Sequence, residues 1–400
     1  MISVEEALDF LLDNARGLDT EYVSLGRLSG RVCAETVHAL TTQPPFPASA
    51  MDGYAIRFED AQQGNALKVI GEAPAGKSYA GCLKKSEAVR IFTGAMIPAG
   101  ADHVVIQEDV ERQGADIIIR EKQHQQRHIR AAGIDMQKGD ILAEPGTTLH
   151  HLHGSVFAAA NIPHICVYKK PRIALFSTGD ELIDPGSDLE PGKIVNSNHY
   201  ALTALIDHWG GIGTYLGCAR DTEDDIAILY EQGRHHDVIV PVGGASVGDY
   251  DHVRSTFTQL GGNINFSKVA VKPGKPTWYG ALDRTNVLGL PGNPASAIVT
   301  ACLFLQPLIR ALAGQTVPER KWHIGKLATD LPANGRRENY LRAVTETDRS
   351  GNILLHPAEG QDSSLLKPFL SCNALIRRKP NSEKLQAGAL TEFMTLTRSS

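Results

Sequence analysis

The chain reads as a multidomain protein of α/β plus β structure, with a mostly parallel α/β unit at its centre and β-rich units on either side. Three observations predict this. From Pro171 to Gly314, short apolar runs alternate with helical patterns, the rhythm of strands joined by crossover helices. Between Leu67 and Ile119 there are only short alternating runs broken by Gly and Pro. After Val317, short β runs return at 322–328, 340–345, 353–356 and 390–396, as in a small barrel.

Taken in order, Ser3 and Glu6 form a capping box. Val4, Ala7, Leu8, Leu11 and Leu12 then follow helical spacing, so the chain opens with an amphipathic helix. In QPPFPASAMDGYAI, prolines stiffen the approach to Asp52-Gly53. A rigid loop presenting one carboxylate suits a metal ligand or general base, and an Asp-Gly turn is the plainer alternative. Thr93, before Gly94, could contact a ligand or cap a turn. The run QHQQRHIR at 123–130 reads as a solvated connector. RAAGIDMQKGDILAEPG reads as a turn, a short strand and a turn, with Asp135 and Asp140 at the turns. A helix over 148–161 carries His150, His151 and His153. Helical ligand pairs want i, i+4 spacing, which these lack, so they read as polar padding.

In the α/β unit, strands are expected at 172–177, 214–218, 237–242, 265–271, 277–282 and 286–289. Helices are expected at 200–209, 224–232 (capped by Thr222) and 295–313, the last ended by Gly314. Ligands of such sheets sit at the carboxyl ends of the strands. Five polar loops fall there: Thr178-Gly179-Asp180-Glu181, the loop holding Asp221, the stretch from Gly243 to Asp251, Lys272 to Pro276, and Pro291-Gly292-Asn293-Pro294. Gly243, Gly244 and Gly248, with Ser246 between, can turn backbone N–H groups toward an anion. This loop lacks the Gly-Lys-Ser/Thr ending of a P-loop. Glu181, Asp221, Asp249 and Asp251 offer the oxygen ligands Mg²⁺ prefers, and Lys272 and Lys275 offer charge for a phosphate or oxyanion.

Composition excludes some classes. A net charge of −5 gives no basic face for nucleic acid. Six cysteines without a C-x-x-C pair argue against structural zinc or disulfides and for reduced thiols, as in the cytoplasm. No secretory leader is visible, and no apolar run is expected to span a membrane.

The segments PPFPASAMDGYAI, RIFTGAMIPAGADHVVIQED, ALFSTGDEL, GGASVGDYD, KPGKP and GLPGNPAS occur in this order. With them the chain resembles, over roughly residues 1–396, the MoeA family of molybdopterin molybdenumtransferases, related to the E domains of gephyrin and its plant counterparts. The resemblance implies insertion of molybdate into adenylylated molybdopterin, with Mg²⁺, releasing AMP and molybdenum cofactor. It implies a four-domain, elongated chain: a discontinuous domain I (1–43 and 142–170), a β-rich insertion (44–141), a MogA-like α/β pterin-binding domain (171–316) and a C-terminal β-barrel (317–400). It also implies a homodimer whose cleft is shared between subunits, and transient contact with the molybdopterin adenylyltransferase. Carried over by motif, Asp52 and Thr93 would reach the cleft from the partner subunit. Asp135, Glu181, Asp221 and Asp251 match acidic residues of the family, and Lys272 and Lys275 match the lysines of KPGKP. Pro291 to Pro294, Arg342 and Ser363 would contact substrate. The chain departs from the family where S-G-G-V-S-V-G becomes Val242-Gly243-Gly244-Ala245-Ser246-Val247-Gly248, and where an acidic residue is replaced by Ile134. Other readings are a pterin adenylyltransferase, a scaffold protein, and a divergent paralogue that handles tungstate or carries pterin.

Overall fold

A computed structural model of the chain describes residues 1–244, 251–315 and 322–396. At its centre lies a six-stranded sheet in the order Ile212–Ala219, Arg172–Thr178, Val238–Val242, Thr285–Gly289, Trp278–Leu282, Asn263–Phe266. The first four strands run parallel, and the turns into Trp278–Leu282 and Asn263–Phe266 are antiparallel. The run RIALFST alternates its side chains between two covered faces. Ile173 and Leu175 join a core shared with Leu202, Ile206 and Leu303, while Ala174 and Phe176 join one with Ile226, Tyr230 and Phe257. The helices Asn198–His208 and Pro294–Thr300 therefore cover one face, and Glu223–Gly233 and His252–Gln259 the other.

Three local expectations are revised. The strand expected at 265–271 splits, because Ile2 exchanges backbone hydrogen bonds with Lys268 and Ala270 between Asn263–Phe266 and Val271–Lys272. The helix expected at 200–209 starts two residues earlier, as Asn198–His208. The helix expected at 295–313 is Pro294–Thr300, a π-helical segment Ala301–Leu305, and Gln306–Leu312. Pro307 has no N–H to donate, and the ladder widens just before it, with Gln306 N–H bonding to Ala301 O. The combined span Pro294–Leu312, 19 residues long, is apolar enough to cross a membrane, contrary to expectation. Its most apolar window is 83% buried, which marks a core helix.

The opening helix, Val4–Asn14, has both bonds of the capping box. It puts Val4, Ala7 and Leu11 into the α/β core, whereas the division at 1–43 places it with domain I. The discontinuous unit is held by Thr20–Ser24 against His164–Tyr168, by Val37–His38 against Ile141–Ala143, and by the helix His151–Ala159. His150 caps that helix and His153 closes the cap, so these histidines serve the helix end. Between the two chain segments is inserted a six-stranded sheet running His103–Ile106, Gly53–Ile56, Glu87–Ile91, Ala66–Ala73, Asp116–Ile119, Val110–Gln113. The C-terminal unit is a closed barrel of Glu338–Thr347, Ile353–Pro357, His323–Leu327, Leu390–Thr395 and Ala374–Arg378, the last pairing back to the first. Val271–Lys272 joins this barrel rather than the α/β sheet, with Val271 opposite Glu338.

Candidate functional site

The carboxyl edge of the α/β sheet gathers most of the expected residues. After Arg172–Thr178 the chain turns at Gly179, where φ is +147° and an added Cβ would sit 2.6 Å from a Glu181 carboxylate oxygen. Glycine thus lets Glu181 fold back over the turn. The neighbouring Asp180 accepts from the Asp221 N–H at 3.3 Å, and its carbonyl accepts from Lys193 Nζ at 2.7 Å. Burial pushes the Cys218 thiol up to about 11, and the charges of Glu181, Asp184, Asp221 and Asp180 push it the same way. Four carboxylates therefore share one neighbourhood. Of these, Asp180 and Asp184 were not singled out from sequence, although Asp180 lies inside a quoted motif.

Beside them Gly243 and Gly244 adopt φ of +106° and +63°. Cβ atoms there would lie 2.8 Å from Thr178 O and 2.2 Å from Val253 Cγ2, so the turn demands glycine at both positions, and the Gly243 N–H is already taken by Leu290 O at 3.1 Å. Thr178 Oγ1 is buried behind them without a hydrogen-bond partner. Val242, where the family has serine, is 2% exposed and packs in the core, so its side chain does not face this loop. Ser246, Gly248 and Asp249 lie outside the described residues. Asp251 caps the helix His252–Gln259 by accepting from the Arg254 N–H at 3.1 Å and also pairs with the Arg254 guanidinium. The structure thus gives Asp251 a partner and a helix-capping task, where the sequence suggested a metal ligand. Among the described residues no three His, Cys, Asp or Glu side chains are grouped to hold a metal.

Pro291-Gly292-Asn293-Pro294 opens the long helix against this edge. Gly292 O accepts from Asn198 Nδ2 at 2.7 Å, and its Cβ position is 3.4 Å from the Gly243 Cα, so the two glycine loops touch. Lys272 is exposed at the end of the short strand that joins the barrel, and Lys275 is half-buried on the loop leading back into the α/β sheet. From the barrel, Ser363 reaches Asn293. Arg342 differs from expectation: it is 2% exposed and donates to the carbonyls of Leu365, Gly360 and Asp362. Its guanidinium is spent on the protein's own backbone.

Asp52 and Thr93 are brought together on the inserted sheet, with Arg90 close by. Asp135 lies exposed in a turn, its N–H donating to Gln43 O at 3.1 Å. Among the described residues no hydrogen bond or ion pair links these three to the α/β edge.

Comparison with known proteins identifies the family. Residues 2–161 match the MoeA N-terminal region (domain I and II), 174–311 a probable molybdopterin binding domain, and 325–396 the MoeA C-terminal region (domain IV). The molybdopterin molybdenumtransferase of Haemophilus influenzae is 33% identical over 97% of both chains. That of a Nostoc species is 36% identical over 86% of this chain and 81% of its own. A crystal structure of a molybdopterin biosynthesis MoeA protein from Pyrococcus horikoshii superposes with a TM-score of 0.85 at 30% identity, covering all of both chains. On this identity, coverage and shared architecture, the chain belongs to the MoeA family of molybdopterin molybdenumtransferases, enzymes of molybdenum cofactor biosynthesis.

Proposed function

We propose that this protein inserts molybdate into adenylylated molybdopterin, releasing AMP. The observation that carries this reading is the meeting, at one sheet edge, of the Gly179 turn and its carboxylates with the touching glycine loops of Gly243-Gly244 and Gly292. A substrate with phosphates and a tetrahedral oxyanion needs N–H donors and cations, and a divalent ion to neutralise the phosphoanhydride. One or two of the exposed carboxylates of Asp180, Glu181 and Asp221 would serve Mg²⁺, which takes oxygen ligands and completes its shell with waters and substrate phosphates. When bound there it would offset charge on the leaving phosphate. The Gly244 N–H would hold pterin-side phosphate, and Lys272 and Lys275 the oxyanion. Asp52, positioned by Thr93, would complete the cleft of a second copy in a homodimer. The adenylylated substrate calls for transient contact with the adenylyltransferase that makes it, in the cytoplasm.

The test is single-turnover AMP release from adenylylated molybdopterin with Mg²⁺, with and without micromolar molybdate. Molybdate-dependent release with active cofactor formed supports the reading. Tight pterin binding without release would replace it with a carrier role.

A further inference from the structure

The mostly polar run at 123–130 is held against the inserted sheet by a buried imidazole. His103 opens the strand His103–Ile106 and is 0% exposed. Its Nδ1 accepts the Arg127 N–H at 3.0 Å, so the ring is neutral and carries its hydrogen on Nε2. Nε2 is buried as well, with Gln123 beside the ring but no hydrogen bond completed among the described residues. The Phe58 ring packs against the imidazole edge-on, with centroids 5.4 Å apart.

The contact with Arg127 anchors a strap. Val104 N–H donates to Arg127 O at 3.3 Å, and Ala50 N–H donates to His128 O at 2.8 Å. Ile129 then pairs with Ser49, and Arg130 with Ala48. At His128 φ is +63°, a left-handed conformation that histidine adopts only at a cost, so closure depends on these bonds. On its other side Ser49 is bonded to Gly94 and Ala95, next to Thr93. The strap therefore backs the segment that carries Asp52 to Thr93.

Protonation turns the acceptor of this strap into a donor. An Nδ1–H would face the Arg127 N–H, and both ring nitrogens would be buried donors without acceptors. Burial opposes the charged ring most strongly, and His128 and Arg127 oppose it too, while Gln123 and Asp102 favour it. Asp102 is itself engaged, accepting from Phe58 N–H at 2.6 Å and from Gln126 Nε2 at 2.8 Å. Ile56, paired with His103 in the next strand, is uncharged. On balance the closed ring takes up a proton less readily than the ordinary value of 6.5.

We propose that residues 127–130 are a proton-operated strap, released when His103, uncovered by a transient opening, binds one proton from solvent at Nδ1. The N–H bond that forms replaces the hydrogen bond from Arg127. The strap cannot close again on the charged ring, and Ala48 to Ala50 lose their backing. Because the folded pKa is depressed, closure is at full strength above pH 6.5 and weakens as pH falls below it toward the lower closed-state value. Nothing in this depends on the transferase reading.

The test is backbone hydrogen exchange read by mass spectrometry on the full chain, from about pH 7.5 to about pH 5, corrected for the intrinsic pH dependence of exchange. In the wild type, opening of peptides covering 127–130 and 48–50 should rise about 10-fold for each pH unit below 6.5, as for one proton. The barrel strand Glu338–Thr347 should keep its protection. His103→Asn keeps an acceptor where Nδ1 stands but cannot be protonated, and should give a flat profile. His128→Asn removes the neighbouring imidazole at a backbone conformation that asparagine tolerates, and should keep the wild-type slope. A flat wild-type profile would overturn the proposal. So would a slope that survives in His103→Asn or vanishes in His128→Asn, or barrel protection lost in step with the strap. If His103→Asn does not fold, the wild type and His128→Asn decide between them.

Discussion

One carboxylate oxygen of Asp52 accepts two hydrogen bonds from Thr93, from its N–H at 2.7 Å and from its hydroxyl at 2.8 Å. These donors, backbone first and hydroxyl second, hold the Asp52 carboxyl below the usual carboxylate value, with help from Arg90. Because the folded pKa is depressed, the pair's contribution is complete above the ordinary value of 3.8 and is lost as pH falls through the lower folded one. Thr93→Val removes only the hydroxyl bond. Asp52 should then titrate nearer 3.8, as read by carboxyl NMR, and an unmoved titration would show the hydroxyl to be idle.

Cys218 is expected to be inert despite standing beside the candidate site. With its thiol pushed up to about 11, roughly one molecule in a thousand carries the thiolate at pH 8. Iodoacetamide should therefore label Cys82 well before Cys218. Glu181→Gln removes the largest of the charges acting on Cys218 and should speed its labelling. Equal rates in both proteins would mean that Glu181 does not face the thiol.

Arg377 fastens the barrel to the opening helix. It donates to Glu338 at 2.5 Å, Glu392 at 3.2 Å and Glu5 at 3.0 Å, and its guanidinium carbon lies 4.5 Å from the Trp322 ring centroid. Arg377 and Glu338 are both nearly buried, so Arg377→Ala leaves a carboxylate unpaired and should cost about 3–5 kcal/mol. Replacing Arg377 and Glu338 together by apolar residues should cost less than Arg377→Ala alone. Glu5→Ala, at an exposed end of the network, should cost about 0–1 kcal/mol. Calorimetric melting of these variants beside the wild type checks the ranking.

Glu181→Gln should reduce AMP release by about 10²-fold or more while the protein stays folded, and Asp52→Ala should do likewise. If Asp52 serves a second copy's cleft, mixing the two inactive variants should restore part of the activity, because one of the two clefts then holds both intact residues. Mixed samples as inactive as their parents would count against a shared cleft.

Much of the frame was legible because it depends on neighbours in sequence. Ser3 and Glu6 cap at three-residue spacing, and RIALFST is apolar on two faces because both are covered. The rule that ligand loops follow parallel strands placed Glu181, Asp221, Gly243 and Asn293 on one edge. What stayed hidden depends on distant partners. The helical spacing of Val4, Ala7 and Leu11 shows an apolar face but not that it meets the α/β core. The strand expected at 265–271 is interrupted by Ile2, from the far end of the chain. Arg342, expected from the resemblance to contact substrate, is enclosed instead, since nothing local announces a loop folding over it. Asp251 was within reach: an acid three residues before Arg254, at a helix start, is a cap and an ion pair at once.

The neck of the inserted sheet has a consequence for how this chain can be altered. Gln43 and Met136 are paired across it, with Gln43 N–H donating to Met136 O at 2.8 Å and Asp135 N–H donating to Gln43 O. The two chain crossings are therefore only about 5 Å apart. Everything between them is a cassette on a narrow stem, closable by a tight turn if it were cut away. The carboxyl-edge loops and the C-terminal barrel belong to the remainder. A relative's β-rich unit could be grafted at the same two points, with Asp52 and Thr93 travelling as one piece.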